Sequence, residues 1–178
     1  KNPKYRYLGG KMILYPNEYL DNVTDITADL LIKNNIKGVV LDVDNTLIDL
    51  DKNLIKGVEN WIEDLKKIGI KFCIVSNSNN LEKVKNVAKI LDIPFIYFAK
   101  KPLKFGFKKA SKVLGLKLEN MSAVGDQILT DVVGANRCKM FSILVKPVNE
   151  KDYLITRIKR PLEKKIISNY LKQKKGCK

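Results

Sequence analysis

The sequence contains no histidine among its 178 residues. This absence excludes Ser-His-Asp triads, Cys-His pairs, histidine-ligated zinc and histidine general bases. Acidic and basic side chains are plentiful instead, with 19 Asp and Glu against 34 Lys and Arg. Any chemistry that the chain performs is therefore expected to use carboxylates, lysines, hydroxyl groups and a hard metal ion.

Cysteine and long apolar runs are also scarce. The three cysteines, Cys73, Cys138 and Cys177, lack the spacing of a metal site and are expected to be unpaired reduced thiols. Apolar runs such as 38–41 and 143–145 are far shorter than the roughly 18 residues that a membrane-spanning helix requires. No secretion signal is visible, so a cytoplasmic protein is expected, either soluble or peripheral to the inner face of the membrane.

Acidic residues are rare at the two ends of the sequence. Residues 1–12 carry four Lys or Arg and no acid, and residues 151–178 carry ten against two acids. The ends therefore hold most of the formal charge of +15, while the middle is nearly neutral. Basic flanks of this kind are typical of contact with anionic lipid or nucleic acid.

Five short apolar runs recur along the sequence, and helical patterns separate them. In the helical patterns, such as 54–65 and 81–91, apolar residues recur at three- and four-residue steps. This alternation predicts an α/β fold with a five-stranded parallel sheet covered by helices on both faces. The predicted strands are 38–43, 71–75, 94–97, 121–124 and 141–145. Ligands bind such sheets beyond the carboxyl ends of the strands, so the residues after each strand are the functional candidates.

Two aspartates, Asp42 and Asp44, follow the first predicted strand at a spacing of two residues. If the strand continued, both carboxylates would lie on one face, where a cation is needed to neutralise them. Mg²⁺ suits this role because it prefers carboxylate and phosphate oxygens. The same residues are also good turn formers, so this motif alone leaves a turn and a metal site both open.

Polar side chains follow the next three strands as well. They are Ser76 and Asn77, then Lys100 and Lys101, then Asp126 and Asp131. Taken singly, each has an ordinary explanation as a helix cap, a solvated lysine or a turn residue. However, hydroxyl groups at a helix N-terminus and lysines also suit a phosphate group. Their coincidence at successive strand ends favours one site that contains carboxylates, a hydroxyl and a lysine.

These motifs resemble those of the haloacid dehalogenase-like (HAD) superfamily. The match runs in order through Asp42-Val43-Asp44-Asn45-Thr46, Ser76, Lys101 and the segment from Gly125-Asp126 to Asp131. The resemblance implies a HAD-like Rossmannoid three-layer fold for a catalytic domain at residues 37–150. Residues 1–36 and 151–178 are then a basic, amphipathic N-terminal extension and a basic, amphipathic C-terminal extension.

The resemblance also implies a role for each residue. Asp42 would attack phosphorus to form an aspartyl-phosphate, and Asp44 would protonate the leaving group and then activate water. Lys101 would neutralise the transferring phosphoryl group. Thr46, Ser76, Asn77 and Lys101 would support the loop or bind the substrate. Mg²⁺ would be held by Asp42, the backbone carbonyl of Asp44, Asp126 and Asp131.

The motif spacing predicts a capless enzyme. Thr46 and Ser76 are 30 residues apart, and Ser76 and Lys101 are 25 apart, which one helix and one strand nearly consume in each case. Without a cap the site has no lid to exclude water, so it suits substrates whose own bulk covers it. Proteins, nucleic acid ends and lipid head groups fit this description.

A narrower resemblance points to the bacterial YqeG group of HAD subclass IIIA. It rests on segments that include 15–20, 75–78, 93–102 and 125–131. This group is similar to mitochondrial phosphatidylglycerophosphate phosphatase, which implies removal of the terminal phosphate to give phosphatidylglycerol. An anionic phospholipid is the expected substrate. A phosphatase of nucleic acid ends or soluble phosphate esters, and a non-catalytic binding module, are the alternatives.

The C-terminal segment shows a basic amphipathic pattern. Leu154, Ile158, Leu162, Ile166 and Tyr170 recur every four residues, with lysines and arginines between them. Such a helix suits an anionic membrane surface, but a stripe of this spacing also packs commonly on its own domain. Pro161 predicts a break near Arg160, with a second helix beginning at the proline.

Overall fold

The computed structural model describes residues 11–149 and 154–176 and is built around a parallel sheet. The strands are β1 (Glu18–Leu20), β2 (Gly38–Leu41), β3 (Lys71–Val75), β4 (Phe95–Ile96), β5 (Met121–Gly125) and β6 (Phe141–Val145). Their order across the sheet is β1-β6-β5-β2-β3-β4, and every neighbouring pair is parallel. The predicted α/β class with a parallel sheet is confirmed.

The predicted count of five strands is wrong, because β1 adds a sixth. This strand pairs with β6 alone, placing Glu18 opposite Ile143 and Leu20 opposite Val145. It is three residues long and half-buried throughout. An edge strand of this length has only one hydrogen-bonded neighbour, so it needs no continuous apolar run and leaves little pattern in the sequence.

Helices cover both faces of the sheet. They are α1 (Ala28–Lys33), α2 (Val58–Lys67), α3 (Leu81–Ile90), α4 (Lys104–Leu114), α5 (Val133–Arg137) and α6 (Leu154–Gly176). Short helical turns occur at Lys11–Leu14, Val23–Asp25, Leu118–Asn120 and Ile128–Val132.

The alternation of side chains along the strands divides the core into two layers. Val39 and Leu41 of β2 face the cluster that contains α1, α2 and α3, whereas Val40 faces the cluster that contains α4 and α5. Successive residues of a strand point to opposite faces, so a strand buried on both sides must be apolar throughout. This burial explains why β2 and β3 are readable in the sequence as continuous apolar runs.

The two described cysteines are both buried and unpaired, as predicted. Cys73 lies in β3, and Cys138 follows α5. Burial raises the pKa of the Cys73 thiol to about 12, which keeps it protonated and unreactive at neutral pH. Cys177 lies outside the described residues.

The C-terminal helix α6 runs through Pro161 without interruption, so the predicted break near Arg160 is wrong. A proline inside a helix removes one backbone hydrogen bond but does not forbid the turns on either side. The following turns are held by packing, since Ile166 and Tyr170 are buried. Ile166 lies in a cluster with Ile128, Val132 and Leu144. Among the described residues, no helix is long and apolar enough to cross a membrane.

Candidate active site

Asp42 comes directly after β2, where the chain turns away from the sheet. Its backbone N–H still donates to the carbonyl of Val124 at 3.0 Å, which fixes it beside the end of β5. The next carbonyl, that of Val43, accepts from the N–H groups of Thr46, Leu47 and Ile48. This tight turn holds the Asp42 carboxylate at the carboxyl edge of the sheet, and the residue is only 7% exposed.

Lys101 is the centre of the site. Its Nζ lies 2.6 Å from Oδ1 of Asp42 and 2.6 Å from Oδ1 of Asp131, and the side chain is buried. Burial alone would lower the pKa of this lysine, but the two carboxylates outweigh it and hold the pKa above its usual value. The lysine therefore remains charged and bridges the two acids.

Asp42, Asp126 and Asp131 form a cluster of buried carboxylates. One oxygen from each lies within 4.8 Å of the others. Three carboxylates against the single charge of Lys101 leave net negative charge in a buried space, which favours a further cation. Hard oxygen ligands of this kind fit Mg²⁺. Asp42, Asp126 and Asp131 are the side chains that would hold it.

The loop after β5 is shaped around Asp131. This residue lies in the π-helical turn Ile128–Val132, and its Oδ2 accepts from the backbone N–H of Gln127 at 3.2 Å. A Cβ atom at Gly125 would lie 2.3 Å from Cγ of Asp131. Only glycine leaves room for the carboxylate at this distance, which gives the Gly-Asp motif a direct steric reason.

The two acids after β2 have different surroundings. Burial raises the pKa of Asp42 to about 6, although the charge of Lys101 opposes this rise. Asp44 is half-buried, and both of its carboxylate oxygens accept from Nζ of Lys83, at 2.5 and 2.8 Å. The carboxylates are thus two residues apart in sequence but have separate lysine partners.

Sequence reasoning did not identify Lys83. It lies in the first turn of α3, where its backbone N–H donates to the Asn80 side chain that caps the helix. Only its position could have indicated it. Lys83 lies in the first turn of the helix that follows β3, and the end of β3 was already assigned to the site. A lysine in that turn faces the same edge of the sheet as Asp44.

The two polar residues after β3 make protein contacts in this structure. The Ser76 hydroxyl is buried and accepts from the backbone N–H of Ser78 at 3.1 Å. The Asn77 side chain donates to the carbonyl of Lys101 at 2.9 Å and accepts from its N–H at 2.6 Å. Asn77 therefore orients the segment that carries the lysine, while direct contact with substrate stays a prediction for both residues.

Thr46 is almost fully buried in the turn after Asp42. Within the described part of the chain its hydroxyl has no hydrogen-bond partner. The backbone N–H of Thr46 donates to the carbonyl of Val43 in this turn at 3.3 Å. This placement agrees with support of the loop, and binding of substrate by Thr46 stays a prediction.

Comparisons with known proteins agree with this geometry. The sequence of residues 39–100 matches the family model of the haloacid dehalogenase-like hydrolases. Residues 98–161 match a second family model, that of HAD-hydrolase-like proteins. The chain is 43% identical over 159 residues to the probable phosphatase YqeG of Bacillus subtilis, an alignment that covers 89% of this chain and 92% of the relative. The chain belongs to the haloacid dehalogenase-like hydrolase family.

Solved structures show the same fold. An uncharacterized protein from Listeria monocytogenes serotype 4b gives a TM-score of 0.54 at 20% identity, covering 66% of this chain and 85% of that one. The cobalt-bound deoxy-D-mannose-octulosonate 8-phosphate phosphatase of Haemophilus influenzae gives 0.52 at 19% identity, covering 63% and 69%. These structures confirm the HAD-like Rossmannoid fold, and the 43% identity to YqeG confirms the predicted resemblance to the YqeG group.

The connections between the motifs contain no inserted domain. From Asp42 to Ser76 the chain forms only turns, α2 and β3, and from Ser76 to Lys101 it forms α3 and β4. The capless architecture predicted from spacing is confirmed. No inserted domain therefore lies over the carboxyl edge of the sheet between Asp42 and Lys101.

Proposed function

We propose that this chain is a Mg²⁺-dependent phosphomonoester hydrolase that works through an aspartyl-phosphate on Asp42. The observation that carries this proposal is Lys101, which contacts Asp42 and Asp131 at 2.6 Å inside a group of three buried carboxylates. A lysine held against a buried carboxylate neutralises charge near the attacking oxygen. Mg²⁺ would supply charge stabilisation at the phosphoryl oxygens.

The proposed reaction has two steps. In the first, an Asp42 oxygen forms a bond to phosphorus while the bond from phosphorus to the ester oxygen breaks, and the protonated form of Asp44 gives that oxygen its proton. In the second, Asp44 takes a proton from water, the water oxygen forms a bond to phosphorus, and the bond from phosphorus to the Asp42 oxygen breaks, which releases inorganic phosphate. Asp42 is regenerated. Lys83 positions Asp44 through its two contacts before the substrate arrives.

Measurement of phosphate release tests the nucleophile. Wild-type protein is expected to hydrolyse p-nitrophenyl phosphate with Mg²⁺ and to lose this activity with EDTA, and Asp42→Asn is expected to abolish it. Asp64→Asn is the matched control, because it makes the same chemical change on an exposed face of α2. Activity of Asp42→Asn equal to that of the control would show that the nucleophile is wrong.

For the substrate, we propose phosphatidylglycerophosphate, dephosphorylated to phosphatidylglycerol by a peripheral enzyme at the membrane surface. Two features support a large anionic substrate: the absence of a cap domain between the motifs and the basic charge of the chain, which is +15 overall. The apolar stripe of α6 supports the membrane role less, because Ile166 and Tyr170 are buried in the protein. The exposed lysines of α6, including Lys164, Lys165 and Lys172, still face solvent.

Competition between substrates tests this choice. Phosphate release is compared between phosphatidylglycerophosphate in anionic vesicles, phosphorylated oligonucleotide ends and a soluble phosphate ester. The lipid is expected to give the highest kcat/KM. A higher kcat/KM for oligonucleotide ends would show that nucleic acid, not lipid, is the substrate. Equal kcat/KM values for all three would indicate a phosphatase with no preference among them. Substitution of Lys164, Lys165 and Lys172 by glutamine measures the contribution of α6 without removal of its buried residues.

A further inference from the structure

The exposed aromatic side chains that the structure describes lie in one short segment. Among the residues whose side chains the structure describes, the exposed aromatics are Tyr97, Phe98 and Phe105, which are 44%, 52% and 61% exposed. Leu103, between them, is 51% exposed. Large apolar side chains that gather in this way on a surface commonly mark a contact site. We call residues 97–105 the aromatic segment.

The aromatic segment is tied directly to the active site. Its buried members are Ala99 and Lys101, and Lys101 reaches Asp42. The backbone of Ala99 donates to the carbonyl of Ser76, and Asn77 holds the backbone of Lys101 from both sides. One side of the segment therefore forms the site while its other side chains are exposed to solvent.

The backbone of the segment is held in an uncommon conformation. Phe98 and Lys100 have φ angles of 49° and 55°, in the left-handed region that residues with a Cβ rarely adopt. Such conformations persist where the surrounding contacts impose them, and they are common at functional sites. Here they alternate with the inward-facing Ala99 and Lys101, so they place Phe98 and Lys100 on the outer side.

The charged side chains in and around the segment are all basic. Residues 93–118 contain no Asp or Glu, and they contain seven lysines. Lys100, Lys104, Lys108 and Lys109 are exposed, and Nζ of Lys100 lies 5.1 Å from the centre of the Phe98 ring. Exposed apolar side chains mixed with lysines are the composition of a surface that lies in an anionic lipid interface.

We propose that the aromatic segment is a membrane-docking surface that inserts Phe98, Leu103 and Phe105 into an anionic lipid surface and places the lipid phosphate at Asp42. This inference rests on the proposed phosphatase function and adds the surface by which the enzyme meets its substrate. Leu103 offers no ring for base stacking, whereas a lipid interface accepts its aliphatic side chain as well as the rings. The combination therefore favours lipid over nucleic acid.

Vesicle co-sedimentation of the full chain tests the docking surface. Vesicles of phosphatidylcholine mixed with phosphatidylglycerol are compared with vesicles of phosphatidylcholine alone, and binding to the mixed vesicles is expected to be the stronger. The double variant Phe98→Asn, Phe105→Gln is expected to weaken that binding at least about tenfold. Asparagine is used at residue 98 because it tolerates a positive φ. Hydrolysis of p-nitrophenyl phosphate is expected to stay within about twofold of wild type, because neither ring contributes to the site.

The matched control is the double variant Ile32→Gln, Ile90→Gln, which removes two apolar side chains that are 64% and 56% exposed outside the segment. Equal vesicle binding by the two double variants would overturn the proposal. So would a loss of oligonucleotide binding in the Phe98 and Phe105 variant with vesicle binding unchanged, which would assign the segment to nucleic acid. A protein that binds vesicles through the segment but hydrolyses no phosphate ester would refute the phosphatase function alone.

Discussion

The buried carboxylate of Asp42 gives a prediction that needs no substrate. Its pKa in the folded, metal-free protein is raised from 3.8 to about 6 by burial. A folded-state pKa above the unfolded value means that the folded protein binds more protons between these two pH values. The free energy of unfolding should therefore fall as the pH rises from about 4 to about 6.

The size of this effect follows from the pKa difference. A difference of this size lowers the free energy of unfolding by about 3 kcal/mol at pH 7. This loss of stability is nearly complete above about pH 6 and absent below about pH 4. Asp42→Asn removes the titration, so the metal-free variant should be more stable than metal-free wild type at pH 7. Because Asp42 also pairs with Lys101 at 2.6 Å, part of the gain is lost with this contact. We expect a net gain of about 1–2 kcal/mol.

Urea unfolding in EDTA at several pH values from 4.5 to about 7.5 measures this difference. The gain should vanish toward the acidic end, where the wild-type carboxyl is protonated. Added Mg²⁺ should reverse the order of stability at neutral pH, because a ligand that binds the folded state stabilises it and the variant has lost one ligand. A metal-free Asp42→Asn protein that is less stable than wild type at pH 7 would refute the reasoning.

Substitutions at three further positions test the supporting residues. Lys83→Met should lower kcat about tenfold in steady-state assays, because Asp44 loses its two contacts, while the free energy of unfolding changes by less than about 1 kcal/mol. Gly125→Ala should weaken Mg²⁺ binding at least about tenfold by calorimetry, because the new methyl group displaces Asp131. Glu163→Leu should weaken Mg²⁺ binding more than Glu163→Gln, because glutamine still accepts the backbone hydrogen bond that holds the turn of Asp131.

Each of these predictions has a clear contrary result. Lys85→Met is the control for Lys83→Met, since it alters an exposed lysine of the same helix. Equal kcat values for the two variants would remove Lys83 from the site. Unchanged Mg²⁺ affinity in Gly125→Ala would mean that Asp131 is not a ligand. Equal affinity in the two Glu163 variants would mean that the hydrogen bond does not position the turn.

The site was largely predictable because its residues follow the readable parts of the fold. Asp42, Lys101 and Asp126 each come within a few residues of a strand end, and β2 and β5 are buried on both faces. Parallel strands bring such positions to one edge, so the position of each residue in the sequence was enough to group them. The cluster of Asp42, Asp126 and Asp131 is the result.

Other features depended on contacts that carry no local pattern. The edge strand β1 is held by pairing with β6, which lies more than a hundred residues away in the sequence. Lys83 has the ordinary appearance of a helix lysine and becomes notable only when α3 places it against Asp44. The helix α6 continues through Pro161 although local propensity favours a break there. Tertiary contacts decided all three.

Lys101 lies in the same segment as the side chains of the proposed docking surface. The same nine residues contain the buried lysine that touches Asp42 and the exposed rings of Phe98 and Phe105. Phe98 and Lys100, whose φ angles are positive, alternate along this backbone with the buried Ala99 and Lys101, and Asn77 holds the backbone of Lys101. A capless site has no lid to couple binding to catalysis. In this protein a surface contact on the segment is in a position to supply that coupling.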